Sequence, residues 1–214
     1  MDNKRSSGPD GINNHLLNLS LPYIINSRTY IFNLCIEKNH QPSGFKKAKV
    51  IPLSQARDKT NLTDYRPISL LPIMFKLFEK HVHLQLNDYL ERKKNRKKKK
   101  ILIHPFQSGF WCKHSCSTAL VRLTHSWLTA MNRTEVSGVI FLDPKKVFDP
   151  VDHNIMMYKL GWYLEHSSSL PFFKSYLKGR TQRVFLHGSY SSEGSVKFDV
   201  PQRSVLGPIL FSIF

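Results

Sequence analysis

The chain has 214 residues, enough for one large domain or two small ones with real cores. Its 41% hydrophobic and 22% charged residues make a globular balance, which excludes a disordered tail. Lysine and arginine total 32 against 15 acidic residues, a net charge of +17 that points to a polyanionic partner, nucleic acid above all. Eight basic residues lie in the nine-residue run RKKNRKKKK (92–100), yet without them +9 remains, so the surplus is general. Cys35, Cys112 and Cys116 make no disulfide framework, and a reducing, intracellular setting is expected. The opening MDNKRSSGPDG has no apolar core of a signal peptide, and no stretch reaches the ~20 apolar residues of a membrane span.

The first forty residues read as helical, with apolar positions Ile12, Leu16 and Leu17, then Ile24, Ile25, Ile31, Phe32 and Cys35. Ser27 is placed as the cap of a second helix in this stretch. A strand follows at 48–53, then a polar turn over 54–64. Beyond Tyr65-Arg66-Pro67, the spacing of Phe75, Phe78, Val82, Leu86 and Tyr89 predicts a helix with one apolar stripe. The basic run is expected to interrupt it and loop out. Leu120, Leu123, Trp127 and Ala130 mark another helix. Residues 139–142, Val-Ile-Phe-Leu, suit a buried strand ending on Asp143. Helices are expected at 155–164 and 170–177, the latter closed by Gly179. Strands at 182–186 and 195–200 flank a turn at Gly188, and an apolar stretch fills 205–214.

Asp143 is the first chemical candidate. A carboxylate at the end of a buried strand is a common ligand placement in two-metal phosphoryl transfer, and an equally common turn former or helix cap. Cys112, His114, Cys116 and His125 fit no familiar zinc spacing. Asp149 and His153 stand at i and i+4, a spacing for local pairing at a helix start.

The string FLDPKKVFDPVDH (141–153) resembles the FLDLxKAFDTVDH segment of LINE-type, non-LTR retrotransposon reverse transcriptases. Five further segments follow that family's order. They are GPDGI (8–12), KKAKVIPL (46–53), YRPISLLP (65–72) with FEK (78–80), QSGF (107–110) with His114-Ser115, and VPQRSVLGP (200–208). The resemblance implies an α+β fold, the right-hand polymerase's helical fingers with a short hairpin (1–137, with 92–100 as a basic loop) and an incomplete palm sheet (138–214). It implies that Asp143 ligates Mg²⁺, that Phe148 excludes a ribose 2′-hydroxyl, that Arg66 reaches the triphosphate and that Gln202 lies near the nascent base pair. The partners so implied are an RNA template, a DNA primer and a dNTP, with no membrane.

Departures from the family qualify that expectation. The family's second carboxylate pair, in an Ala-Asp-Asp hairpin, has no counterpart in the 214 residues. Arg203 replaces the family glycine after Gln202, and a KKGD loop reads Gln55-Ala56-Arg57-Asp58. Trp111 stands where an arginine follows QSGF, and Pro144 and Pro150 flank the metal-binding turn. The expectation is a reverse transcriptase fragment inactive by itself, the alternative a basic module that binds nucleic acid without catalysis.

Overall fold

A computed structural model describes residues 7–54, 60–61, 64–96, 106–111, 114–143, 148, 150–165, 167–198, 200–201 and 203–214, without the side chains of 94–96. The fold is α+β, with a mixed sheet beside a helical core.

Helix α1 (Asn14–Glu37) starts where the Asn13 side chain accepts the Leu16 N–H at 2.8 Å. It runs unbroken for 24 residues, so Ser27 sits mid-helix and caps nothing. The amides around Ser27 already have partners one turn back, which leaves a cap no free donor. Pro22 also lies within α1, at the loss of one intrahelical bond. Leu17, Phe32 and Cys35 are buried, whereas Leu16, Ile25 and Ile31 face solvent.

Strand β1 (Lys47–Ser54) covers the expected segment and pairs antiparallel with β2 (Tyr65–Leu70). The pattern had not revealed β2, because Pro67 argues against a strand. At the sheet edge, a proline needs no ladder donor. β3 (Arg180–Leu186) joins the other side of β1 in parallel, and β4 (Ser189–Tyr190) and β5 (Gly194–Val196) both pair with β3. The β3–β4 turn needs two positive φ values, supplied by His187 (48°) and Gly188 (82°). One sheet thus draws strands from both halves of the chain.

Helix α2 (Ile73–Arg96) is the centre of the core. Phe75, Phe78, Val82 and Leu86 are buried as the stripe requires, and Leu90 rather than Tyr89 continues it. Around them lie Phe32 of α1, Met156 and Leu160 of α4 (His153–Tyr163), Phe172 and Tyr176 of α5 (Leu170–Leu177), and Leu210 of α6 (Gly207–Ile213). Ring centroids of Phe32 and Phe78 are 4.9 Å apart, and those of Phe78 and Phe172 5.8 Å.

Two expectations fail. The basic run does not loop out at Arg92, because α2 continues to Arg96. Lys and Arg are good helix formers, and positive charge is favoured at a helix C-terminus. Arg92 pairs with Asp88 one turn back, and Lys93 reaches Glu165 at 2.8 Å; 97–100 lie outside the described residues. Second, residues 139–142 are neither strand nor buried: Ile140, Phe141 and Leu142 are 86, 83 and 84% exposed. A strand needs a neighbour for its backbone groups, and no described strand pairs with this one. Helix α3 (Cys116–Asn132), closed by a Ser115–Thr118 capping box, precedes that run and buries no residue.

Candidate active site

The proposed site residues lie on four different pieces of the fold. Asp143 ends the exposed, extended run 135–143. Arg66 is exposed on edge strand β2, opposite Leu53. Phe148 is half-buried, its ring 4.6 Å from Phe211 of α6 and 6.2 Å, edge-on, from Phe110. Gln202 lies outside the described residues, as do Cys112 and Asp149.

The neighbours of Gln202 are well defined. Ser204 donates its N–H to the Pro201 carbonyl at 3.0 Å, closing a turn. Arg203 occupies the turn's third position at φ 62°, a left-handed backbone where glycine or asparagine is favoured. The Ser204 hydroxyl accepts the Gly207 N–H at 2.9 Å and so ties the turn to the start of α6. Phe148 therefore packs on the helix that the 201–206 loop leads into.

That loop is held from beneath by a residue to which the sequence reading gave no role. Glu79, fully buried on α2, accepts the Val205 N–H at 3.1 Å and the Tyr176 hydroxyl at 2.7 Å. Burial pushes the Glu79 carboxyl up, against the pull of both hydrogen bonds and of the Arg180 and Lys76 charges. Burial and the adjacent Glu79 hold the Tyr176 phenol well above its ordinary range. Buried Arg180 donates to the Tyr176 carbonyl at 3.3 Å, with its guanidinium 5.3 Å from the Phe75 ring centre. Lys76 is drawn down by burial, with Glu79 opposing and Arg203 adding to the shift. The available signal was position: residue 79 stands four after Phe75, on the buried stripe.

At α4, Asp152 is the N-cap, accepting the Asn154 and Ile155 N–H groups at 2.6 and 3.2 Å. Among the described residues no three His, Cys, Asp or Glu side chains converge on a point that could hold a metal. One exposed carboxylate at the end of a coil does not make a divalent-ion site, so the described residues do not by themselves fit the Mg²⁺ that the family resemblance implies. No described helix is long and apolar enough to cross a membrane.

Residues 56–214 match the family described as reverse transcriptase (RNA-dependent DNA polymerase). Similar proteins include the RNA-directed DNA polymerase from mobile element jockey of Drosophila melanogaster, 33% identical over 212 residues. Two more from that fly are the probable RNA-directed DNA polymerases from transposon BS and transposon X-element, each 30% identical. Each comparison covers 99% of this chain but only 22 or 23% of the relative, so the chain spans about a fifth of their length. With nearly three quarters of its residues inside the family match, the chain belongs to the reverse transcriptase family.

Proposed function

We propose that these residues are the fingers and first part of the palm of a retrotransposon's RNA-directed DNA polymerase, with residues 1–137 as fingers and 138–214 as palm. The observation that carries the reading is the family match across 56–214, which includes the FLDPKKVFDPVDH string. In this reading Asp143 contributes one carboxylate to a metal site completed by others, and Arg66 offers its planar donor fork to a triphosphate. Phe148, held between Phe110 and Phe211, would present a rigid wall to the nucleotide sugar. Gln202 would approach the nascent base pair from the loop that Glu79 anchors. The partners are an RNA template, a DNA primer and a dNTP.

The 214 residues by themselves are expected to bind a poly(A)–oligo(dT) template-primer without extending it. Primer extension with Mg²⁺ and dTTP checks this. Incorporation that disappears with Asp143→Asn would show that the residues present suffice for catalysis and would overturn the need for further carboxylates. Absence of template-primer binding at low salt would overturn the polymerase reading itself.

A second reading, a basic nucleic-acid-binding module without catalysis, is favoured by the +17 charge alone. It predicts affinity that falls steeply with salt and shows little preference for a primer terminus over a plain single strand. Equal affinity for both would favour it over the first.

A further inference from the structure

The sheet register gathers a basic and aromatic cluster that no site residue above includes. On β1, Val50 is buried against the core, so Lys49, Ile51 and Leu53 face the opposite way. Residues paired across strands share a face, which sets Arg183 of β3 beside Lys49, and Arg66 of β2 beside Leu53. Phe185 lies two residues beyond Arg183 on that face, and Tyr190 of β4 is its partner. The two rings are 4.7 Å apart at 52°. Lys49 Nζ sits 3.7 Å from the Phe185 ring centre and 5.5 Å from that of Tyr190, while the Arg183 guanidinium carbon is 5.2 Å from Tyr190.

Three features make this cluster more than a solvated charge patch. Its rings are accessible: Tyr190 is 45% exposed. Its cations lack carboxylate partners among the described residues, whose ion pairs are Lys38–Glu37, Arg92–Asp88 and Lys93–Glu165. Its geometry is held, because the Arg183 Nε donates to the Ser191 carbonyl at 2.9 Å and Ser191 in turn bonds the Val184 backbone. An accessible ring flanked by unneutralised cations matches an unpaired base with phosphates on either side, since in a duplex the base faces are already stacked.

We propose that this sheet face is a platform for a single-stranded polynucleotide, with a base stacked on Tyr190 and Phe185 and the flanking phosphates on Lys49 and Arg183. The proposal rests on the polymerase reading and specifies the surface that would hold an unpaired strand, on the same face as Arg66.

The test is fluorescence anisotropy of a labelled twelve-residue oligo(U) with the full 214-residue chain. Tyr190→Ala is expected to weaken binding by at least about five-fold with an unchanged salt slope, and Tyr190→Phe to bind within about two-fold of the parent. Lys49→Gln with Arg183→Gln is expected to lower the salt slope by roughly 0.7 per charge removed. Parent-like binding by Tyr190→Ala overturns the proposal, as does poly-glutamate displacing the oligonucleotide as well as unlabelled oligo(U) at equal charge. A second measurement does not depend on variants: 4-thiouridine crosslinks on the parent should map to 183–190. Crosslinks confined to 92–100 overturn the platform alone, whereas a parent that binds no oligonucleotide overturns the polymerase reading with it.

Discussion

The Glu79 carboxylate lies 2.7 Å from the Tyr176 hydroxyl in the centre of the core, while its other oxygen holds the Val205 backbone. This contact ties α2, α5 and the 201–206 loop together through one fully buried acid. Both side chains favour their protonated forms, Glu79 because burial outweighs its hydrogen bonds and neighbouring cations, and Tyr176 because burial and Glu79 act together. A carboxyl whose pKa is raised on folding contributes stability that is complete below the unfolded value and declines as pH rises toward the folded one.

The pH dependence of Glu79→Gln follows from that sign. The amide keeps both contacts, its oxygen accepting from Val205 and its NH₂ group donating to Tyr176, without ever ionising. Urea unfolding is expected to show the variant near the parent around pH 4.5 and gaining on it steadily as pH rises. A gap that widens in the parent's favour at higher pH would mean that the ionised carboxylate is the stabilising form. Glu79→Ala, which strands a buried hydroxyl and a backbone N–H, is expected to cost about 2–4 kcal/mol at every pH.

Arg203 carries the strain of its turn. At φ 62° a side chain with a Cβ costs on the order of 1 kcal/mol, and Arg203 also adds to the downward shift of Lys76. Arg203→Gly removes both effects, against some added freedom in the unfolded chain. The expected outcome is a gain of about 0.5–1 kcal/mol, or roughly 1–4 °C in Tm, read from thermal unfolding. A lower Tm would show that the arginine makes a compensating contact.

What was legible in the sequence divides along physical lines. The buried stripe of α2, strand β1, helix α5 with Gly179 and the glycine-centred turn at Gly188 all follow from local periodicity and turn chemistry. Two misreadings came from competition between local signals and partners distant in sequence. Val139 to Leu142 has the composition of a central strand, but a strand exists only if something pairs with it. Arg92 to Arg96 has the charge of a solvated loop, but helix propensity and pairs with Asp88 and Glu165 keep it helical. In the candidate site, Asp143, Arg66, Phe148 and Gln202 were found by resemblance. Glu79 stood in the quoted FEK segment and was passed over because its role depends on Tyr176 and Val205, about a hundred residues away.

Asp152 offers a check on the start of α4. Its carboxylate receives two backbone N–H groups of the first helical turn, where the helix dipole also favours negative charge. Asp152→Ala is expected to lose about 1 kcal/mol, and Asp152→Asn only a few tenths, in urea unfolding at neutral pH. Equal losses in both variants would assign the effect to charge and not to the cap.

Gly207 tests how tightly the Gln202 loop is seated on α6. A Cβ there would fall 2.6 Å from the Ser204 hydroxyl and 3.2 Å from the Pro201 carbonyl, both within the loop that Glu79 anchors. The Ser204 hydroxyl cannot simply rotate away, because it accepts the Gly207 N–H and rotation would leave that buried donor unpaired. Gly207→Ala must therefore move either the turn or the first residues of α6, at an expected cost of about 1–3 kcal/mol despite alanine's better helix propensity. Removing the obstructing hydroxyl separates steric cost from the rest: in the Ser204→Ala background, Gly207→Ala should cost measurably less than in the parent. A double-mutant cycle by urea unfolding reads this coupling directly, and strict additivity would mean that the clash is relieved by motion elsewhere and that the turn is not rigidly seated on the helix.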